Sequence, residues 1–366
     1  MLITTSKENL NFAINAAQKA INPKSIIPLY SCIKLEVKDN LAIFTGAGLD
    51  ISVECSIPVQ TEKEGCVLIP SKHFGDIVRR LPDIPIVLEH TESMEMNIRF
   101  EKSLFTLKTM SVDGFPPFEA FKGGLDFTVP SELFKKLVRQ SSFAASTDEL
   151  KAVFTGILWE VNGEELSLVG TDTHRLAWAR GAINSPDKDA KGSFIIPARI
   201  ANEVSRLMQD EACHIQADSN TVFFTFDNIR INARILEGTF PDYRRVIPNQ
   251  FVTGVHVNNK QLRDATERIS LFSVANDASS TIHMDISDSV LSIHSRSDIG
   301  FGREEFNVQQ EGDDINIAFN SRYITDVFKV IDAEDIDINL SGQLSAGIVR
   351  EKDDENFLYL VLPVKV

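Results

Sequence analysis

The alternation of apolar and polar residues repeats three times along the chain. In each third, an apolar strand end runs directly into the start of a one-faced helix. The three copies of this phrase are residues 67–74, 194–200 and 317–323. Pro70, Pro197 and Phe319 are equivalent positions, 127 and 122 residues apart, and one third of the 366-residue chain is 122. A period of this length is that of a whole domain, so the sequence predicts three similar domains.

Two helices and several strands are predicted in each third. Periodic apolar residues indicate helices at 6–21, 71–81, 131–142, 198–208, 259–270 and 320–331. Alternating apolar residues around short polar turns predict hairpins at 33–44, 157–169 and 282–293. The predicted fold class is therefore α+β with antiparallel strands, and we expect domains at 1–122, 123–250 and 251–366.

Charge is divided unevenly between the predicted helices and the rest of the chain. The chain has 37 Lys and Arg against 52 Asp and Glu, and its net charge of −15 argues against binding to nucleic acid. The predicted helices, however, contain 15 Lys and Arg and seven Asp and Glu, which gives them +8 and leaves −23 elsewhere. Helix propensity alone also favours Lys and Arg in helices. If the helices share one surface, an anionic partner would bind there and be repelled elsewhere.

Several function classes find no support in the residues. The sequence has no HExxH, P-loop or GxGxxG motif, and no nucleophile motif accompanies His174, so we expect no catalytic residues, no metal and no cofactor. Cys32, Cys55, Cys66 and Cys213 form no CxxC pair and are expected to be ordinary thiols in a reducing cytoplasm. We expect neither a secretion signal nor a membrane span, which needs ~18 consecutive apolar residues.

Two local segments differ from the rest of the repeats. Residues 170–177 read GTDTHRLA, a string in which Thr171, Asp172 and Thr173 could form a turn capped by their side chains. The C-terminal residues 363–366 are mostly apolar, where chain ends are usually polar. They could belong to a last edge strand packed into the final domain, or to an apolar pocket for a segment of a partner. The residues alone leave both possibilities open.

Three phrases carry a resemblance to a known family. They are TDTHRL at 171–176, FPDYRRVIP at 240–248 and LVLPV at 360–364. Together they closely resemble the bacterial DNA sliding clamps, the beta subunits of DNA polymerase III, and the resemblance extends to the length and the threefold repeat. It implies a ring-shaped homodimer of three-domain subunits, with helices lining the ring interior and antiparallel sheets outside. It also implies a cytoplasmic processivity factor that encircles duplex DNA and slides without reading its sequence.

The size of one domain agrees with a dimeric ring. A domain of ~122 residues has a radius of gyration of about 14 Å, so as a uniform sphere it is roughly 35 Å across. Three such spheres in a ring leave a hole of about 5 Å, whereas six leave about 35 Å. Because a duplex is about 20 Å wide, two copies could encircle it and one copy could not.

The resemblance also implies a cleft between the second and third domains. Short segments with apolar anchors would bind there, from the replicative DNA polymerase, the clamp loader and repair proteins. Carried over residue by residue, the cleft comprises Thr171, His174, Arg175, Leu176, Pro241, Arg245, Val246, Leu344, Ala346, Leu360, Leu362, Pro363 and Val364. On this resemblance, the C-terminal residues form a pocket.

Duplex DNA is expected to meet the basic helices and two loops. Lys24 matches a basic loop residue of the family, and Lys151 lies in a second loop that faces DNA. In that loop, tyrosines of some relatives are replaced by Ala152 and Val153, which puts aromatic stacking on DNA in doubt. The predicted DNA-binding residues are Lys24, Lys72, Arg79, Arg139, Lys151, Arg199 and Arg206.

The homodimer is expected to form between the first domain of one subunit and the third of the other. The resemblance assigns this contact to Phe105 and Leu107 against Leu271 and Phe272. The alternative from another class is a non-encircling interaction scaffold built on the same repeats, and an enzyme is a more distant third.

Overall fold

The computed structural model describes residues 1–22, 25–209, 211–273 and 280–365. Within these residues the chain forms six α-helices and 26 β-strands, and the strands pair antiparallel throughout. The α+β class with antiparallel strands is therefore confirmed.

The elements follow one order in the three repeats, except that the second repeat has one strand fewer between its two helices. The first repeat contains β1 (Leu2–Thr5), α1 (Lys7–Gln18), β2 (Cys32–Lys38), β3 (Leu41–Ala47), β4 (Ile51–Pro58), β5 (Gln60–Lys63), β6 (Gly65–Pro70), α2 (Ser71–Arg79), β7 (Ile86–His90), β8 (Glu95–Phe100) and β9 (Ser103–Lys108). The second contains β10 (Leu125–Pro130), α3 (Ser131–Ser142), β11 (Gly156–Asn162), β12 (Glu165–Thr171), β13 (Arg175–Ala182), β14 (Lys191–Pro197), α4 (Ala198–Leu207), β15 (Ala212–Ala217), β16 (Thr221–Phe226) and β17 (Ile229–Arg234). The third contains β18 (Thr253–Asn258), α5 (Asn259–Ser270), β19 (Thr281–Ser287), β20 (Val290–Ser297), β21 (Gly300–Asn307), β22 (Gln309–Gly312), β23 (Ile315–Asn320), α6 (Ser321–Phe328), β24 (Asp335–Leu340), β25 (Gly347–Glu351) and β26 (Phe357–Val361).

All six predicted helices are present, and their ends lie within three residues of the predicted ones. Four of the six are shorter than predicted, and Lys19, Arg80 and Lys329 therefore lie just beyond the last helical residue. The helices therefore contain 12 Lys and Arg and seven Asp and Glu, a net charge of +5 instead of +8, and the rest of the chain carries −20. The predicted separation of charge is smaller than expected but has the same sign.

The three predicted hairpins are also confirmed. In each, a strand pairs with its successor across a two-residue turn: β2 with β3, β11 with β12, and β19 with β20. Left-handed backbone occurs in each turn, with φ of 51° at Asp39, 61° at Asn40, 62° at Gly163, 50° at Asp288 and 63° at Ser289. Glycine adopts this conformation without a steric cost, and the short polar side chains of Asp and Asn tolerate it.

The structure divides into two compact units. The first comprises Met1–Ser131, Asn184–Pro186 and Glu203–Ile235, and the second comprises Glu132–Ile183, Asp187–Asn202 and Leu236–Val366. The first unit holds sheets of order β5-β1-β7-β8-β9 and β10-β15-β16-β17-β4-β3-β2-β6. The second holds sheets of order β14-β11-β12-β13-β26-β25-β24-β18-β22 and β21-β20-β19-β23.

The two largest sheets each continue from one repeat into another. In the first unit, β17 of the second repeat pairs with β4 of the first, placing Ile231 opposite Val53. In the second unit, β26 of the third repeat pairs with β13 of the second, placing Tyr359 opposite Ala177. Because sheets are shared in this way, contacts group the chain into two units, and the boundaries 1–122, 123–250 and 251–366 stay a prediction.

The first helix of a repeat packs closely on the hairpin that follows it. A Cβ atom on Gly46 of β3 would lie 1.9 Å from the backbone oxygen of Ala17, and one on Gly170 of β12 would lie 2.2 Å from that of Ser141. Both distances are far below contact distance, and a backbone oxygen cannot swing aside as a side chain can. Glycine is therefore required at both positions for the helix to approach the sheet.

Gly170→Ala is expected to lower the free energy of unfolding of the second unit by about 1–3 kcal/mol, because the added methyl overlaps the backbone of α3. Tryptophan fluorescence during urea unfolding reports on this unit, since both tryptophans of the chain, Trp159 and Trp178, belong to it. Gly254→Ala in β18 is the matched control, because its nearest neighbour would be Asn339 Oδ1 at 3.4 Å. Equal unfolding midpoints for the two variants would contradict this packing.

Candidate functional site

An apolar cluster surrounds the joint between β13 and β26. The predicted cleft residues Leu176 and Leu360 lie opposite each other in this ladder and are both buried. The other buried members are Leu158, Val169, Ile195, Tyr243, Ile348 and Leu358. Partly buried residues packed against them are Val153, Trp178, Leu236, Phe240, Ile247 and Ala346. The cluster provides a continuous apolar floor for the predicted cleft.

The C-terminal strand is an interior strand. β26 lies between β13 and β25, so the alternative of a last edge strand is wrong. Beyond β26 the chain leaves the sheet, and backbone hydrogen bonds hold it in place. The Leu362 N–H donates to the His174 oxygen at 2.9 Å, and the Val364 N–H donates to the Ala318 oxygen at 2.8 Å. The apolar tail therefore has a defined path beside the cluster.

Three exposed apolar side chains border the cluster in sequence. Val246, Leu344 and Leu362 are each one or two residues from a cluster member and are exposed, whereas Leu360 is 4% exposed. Exposed apolar side chains next to a buried apolar floor are typical of a surface that binds another protein segment. Among the other predicted cleft residues, Pro241 follows Phe240 of the cluster directly, and Pro363 follows Leu362.

The 240–248 phrase is anchored by one carboxylate. Tyr243 donates from its hydroxyl to Glu160 Oε2 at 2.7 Å, and Arg244 Nη2 donates to the same oxygen at 2.7 Å. Burial and the bond to Glu160 raise the pKa of Tyr243, so the hydroxyl keeps its proton and remains a donor. Arg245 instead pairs with Asp242 at 2.9 Å and projects into solvent. Of the two arginines, Arg245 is the more exposed, at 84% against 61% for Arg244.

Side chains cap the turn between β12 and β13, as the sequence predicts. The Thr171 hydroxyl donates to the Arg175 oxygen at 2.6 Å. Asp172 Oδ1 accepts from the N–H groups of His174, at 2.9 Å, and Arg175, at 3.0 Å. Thr173 has a φ of 81°, a strained conformation for a β-branched residue that these bonds stabilise. The exposed His174 ring stacks on Tyr323, with 6.4 Å between ring centroids.

Arg175 faces the interior of the second unit. Its Nε donates to Asp172 Oδ2 at 3.0 Å, and its Nη1 donates to Asp326 Oδ2 at 2.9 Å. Its guanidinium carbon lies 4.5 Å from the centre of the Tyr323 ring and 5.6 Å from that of Phe143. Arg175 therefore supports the predicted cleft from behind, and its side chain has little surface left for a partner.

Apart from Lys24, which lies outside the described residues, all the predicted DNA-binding residues are exposed: a first group of Lys72, Lys151 and Arg199, and a second group on α2, α3 and α4. Arg79, Arg139 and Arg206 each form an ion pair with a carboxylate, namely Asp76, Asp332 and Glu203 respectively. The charge of the second group is therefore already balanced in part within the chain.

The loop that contains Lys151 also contributes a residue to the apolar cluster. Asp148 caps the 3-10 helix Glu149–Thr155, accepting from the Leu150 N–H at 3.0 Å. Leu150 and Lys151 are exposed, whereas Val153 packs against the apolar cluster. Val153 thus contributes to the floor of the predicted cleft.

The predicted subunit-contact residues lie on or beside two strands that end their sheets. Phe105 is exposed and Leu107 half-buried on β9, the end strand of its sheet in the first unit. In the second unit, β21 ends its sheet, and the Phe272 ring covers it. A Cβ on Gly302 of β21 would lie 2.6 Å from this ring, so glycine makes room for it. Leu271 is exposed beside Phe272.

Sequence reasoning missed several residues of the site. Trp178 could have been found, because it lies two positions after Leu176 on one strand and so on the same face. Phe240 and Ile247 lie inside a phrase that the sequence singled out. Tyr323 had no local signal, because only the tertiary structure brings α6 to the turn at His174.

The geometry of the described residues also bears on metal binding and on membrane-spanning helices. Within the described residues, no group of three or more His, Cys, Asp or Glu side chains is arranged to hold a metal ion. Among the helices of the same residues, none is long and apolar enough to cross a membrane. The four cysteines are unpaired thiols, as predicted, and burial raises the pKa of Cys55 to about 12.

Family models match nearly the whole chain. They describe the N-terminal, central and C-terminal domains of the DNA polymerase III beta subunit, and they match residues 1–119, 128–242 and 244–365. The beta sliding clamps of Staphylococcus epidermidis and Bacillus subtilis are each 30% identical to the chain, cover 100% of it, and are themselves covered to 99% and 100%.

Solved structures of sliding clamps have the same fold. The DNA polymerase sliding clamp from Bacillus subtilis superimposes with a TM-score of 0.96 at 29% identity, over 100% of this chain and 99% of that one. A sliding clamp from Pseudomonas aeruginosa, bound to griselimycin, gives a TM-score of 0.95 at 27% identity, over 100% of both chains.

The fold and these matches define a DNA clamp: an α+β protein of three clamp domains with antiparallel sheets. The chain belongs to the bacterial DNA sliding clamp family, the beta subunits of DNA polymerase III. The resemblance drawn from the three phrases is therefore confirmed.

Leu360, in the floor of the predicted cleft, should contribute more to stability than Leu362, at its border. Leu360→Ala is expected to cost about 2–5 kcal/mol of unfolding free energy, because Leu360 is 4% exposed and its loss leaves a cavity. Leu362→Ala should cost less than about 1 kcal/mol, because Leu362 is 41% exposed. Tryptophan fluorescence during urea unfolding measures both. Similar losses for the two variants would show that Leu362 is a core residue.

Proposed function

We propose that the chain is a processivity factor whose two copies close into a ring around duplex DNA and tether the replicative polymerase. The observation that carries the proposal is the pairing pattern of the repeats. In both joints within the chain, the last strand of one repeat pairs with the strand that follows the hairpin of the preceding repeat. β17 pairs with β4 in this way, and β26 pairs with β13. By this pattern β9 should pair with β21, yet within the described chain each is left at the end of its sheet.

A second copy would supply the missing pairing. Pairing β9 of each copy with β21 of the other makes the same joint twice and closes the assembly by a two-fold axis. Exposed apolar residues on these edges support this assignment, because Leu104, Phe105 and Phe301 would otherwise lie on unprotected edge strands. The dimer is thus the assembly in which every repeat has the same neighbours.

The register of this joint follows from the other two. Val53 lies opposite Ile231, and Ala177 lies opposite Tyr359. We count positions from the hairpin turns and helix starts of each repeat. On this count, Gly302 of β21 is equivalent to Val53 and Ala177, and Phe105 of β9 is equivalent to Ile231 and Tyr359. Phe105 of one copy would then meet the Phe272 ring that covers Gly302 of the other, which agrees with the contact predicted from the sequence.

Duplex DNA would contact the basic helices weakly. The helices carry +5 and the rest of the chain −20, so phosphate is attracted to the helices and repelled elsewhere. Several of the cations are already paired with carboxylates, which limits how many phosphates the protein neutralises. Phosphate contacts carry no sequence information, and a small number of them suits a protein that must slide.

The cleft would bind short segments of other proteins. Its buried floor and the exposed Val246, Leu344 and Leu362 would form an apolar surface on which two or three apolar side chains of a partner could pack. We expect the replicative polymerase, the clamp loader and repair proteins to use it in turn. We expect no catalytic activity or cofactor, and a cytoplasmic location, where replication takes place.

A cross-link tests the ring. By the register above, Leu104 of one copy lies opposite Arg303 of the other, as Leu358 lies opposite Trp178. Directly opposite residues come close enough for a disulfide. In a Cys66→Ser background, Leu104→Cys with Arg303→Cys is therefore expected to give a covalent dimer under mild oxidation. When oxidation follows loading on circular DNA, the cross-linked dimer should stay on the circle in detergent and leave after linearisation.

The matched control is Leu104→Cys with Glu305→Cys, which is offset by two residues and should cross-link poorly. Equal cross-linking of both pairs would contradict the register. Equal retention on circular and linear DNA would contradict encirclement and favour the non-encircling scaffold.

Substitution of exposed cleft residues should weaken stimulation of the polymerase and leave the dimer intact. Leu344→Ser with Leu362→Ser is expected to reduce stimulation of the replicative polymerase at least about tenfold, because anchoring contacts dominate binding energy. Sedimentation should still show the dimer. Leu49→Ser is the control, since Leu49 is 75% exposed and Leu344 70%, but Leu49 lies in the first unit. Full stimulation by the double variant would remove the cleft assignment.

A further inference from the structure

Asp326 of α6 pairs with one buried cation and lies close to two exposed cations. Its Oδ2 accepts from Arg175 Nη1 at 2.9 Å. On the other side, Arg322 Nε lies 3.8 Å from Oδ2, and Lys329 Nζ lies 3.7 Å from Oδ1. The Arg175 side chain is 6% exposed, whereas those of Arg322 and Lys329 are 69% and 56% exposed. One carboxylate thus connects the protein interior to the exposed cations on α6 and at its C-terminal end.

On the interior side, Arg175 is held tightly. Its guanidinium carbon lies 4.5 Å from the centre of the Tyr323 ring and 5.6 Å from that of Phe143, and its Nε donates to Asp172. The fully buried Tyr359 donates from its hydroxyl to the Tyr323 oxygen at 2.9 Å, which ties β26 to α6. Because Arg175 also begins β13, a change in its pairing acts directly on the turn at 171–175.

That turn is part of the predicted cleft. It carries His174, whose ring stacks on Tyr323 and whose backbone oxygen accepts from the Leu362 N–H. The contacts of Asp326 therefore continue, through Arg175 and Tyr323, to both the turn and the C-terminal tail.

On the solvent side, the side chains of Arg322 and Lys329 are exposed and can contact an anion in solution. If α6 faces DNA, as the proposed function requires, phosphates attract both side chains through charge-assisted hydrogen bonds. Their attraction to Asp326 then weakens, because a cation bound to phosphate is partly neutralised. Asp326 is left to interact more strongly with Arg175, in a partly buried site where charges are poorly screened.

We propose that Asp326 is a positioning residue that couples duplex DNA on α6 to the partner cleft through Arg175. DNA strengthens the Arg175–Asp326 pair, and the stronger pair holds the turn at 171–175 in the orientation that forms the cleft. Such coupling is reciprocal, so a partner that orders the turn raises the affinity for DNA by the same factor. We expect a factor of about five, the lower end of the usual range.

Histidine NMR tests this coupling directly, because His174 is one of only seven histidines in the chain. The probe is a short duplex oligonucleotide added to saturation to the full-length protein. In the wild type, the His174 ring signals are expected to shift and sharpen. In Asp326→Asn this response should be lost. Asp264→Asn on α5 removes the same charge from a carboxylate that pairs with Arg263 at 3.6 Å, and it should keep the response.

A second pair of variants remains informative if Asp326→Asn fails to fold. Arg322→Gln with Lys329→Gln alters exposed side chains only, and it should abolish the His174 response even at saturating duplex. Lys260→Gln with Arg263→Gln on α5 removes two cations from another helix and should leave the response intact. The same response in both double variants would overturn the coupling and leave the proposed function standing. Failure of the wild type to bind duplex at all would instead overturn the proposed function.

Discussion

Backbone hydrogen bonds between strands of different repeats hold this protein together. At β17 and β4, and again at β26 and β13, one repeat's last strand completes a sheet begun by another. These ladders satisfy the edges that a repeat on its own would expose to solvent. Backbone pairing sets distance and register together, so the side chains on either side of a joint are placed accurately whatever their identity. The remaining features of the molecule depend on this placement.

The predicted cleft is a direct product of one such joint. Leu176 and Leu360 are brought together because β13 and β26 pair, and the apolar cluster forms around them. The same pairing carries the C-terminal tail past His174. A binding surface made from a structural joint is rigid, since its floor cannot move without breaking a central ladder. The adjustable parts are the turn at 171–175 and the exposed leucines around the floor.

Local patterns predicted the elements well because helices and hairpins depend on short-range periodicity. The sequence overestimated the positive charge of the helices, because the apolar period continues to Ile21 and Leu81 whereas α1 and α2 end before Lys19 and Arg80. It also could not show that Arg139 is paired with Asp332, or that Arg175 is buried close to two aromatic rings. Those pairings join residues far apart in the chain, and only the folded sheets bring them into contact.

The wide sequence separation of the cleft's two central strands has a consequence for the synthesis of the protein. Leu176 and Leu360 are 184 residues apart, so the floor of the cleft is absent until the third repeat has been made. During translation the earlier repeats can fold and form β13, but β13 then lacks its neighbour. A chain that lacks the third repeat therefore lacks the floor of the predicted cleft. Formation of the predicted cleft thus requires that the third repeat has been translated.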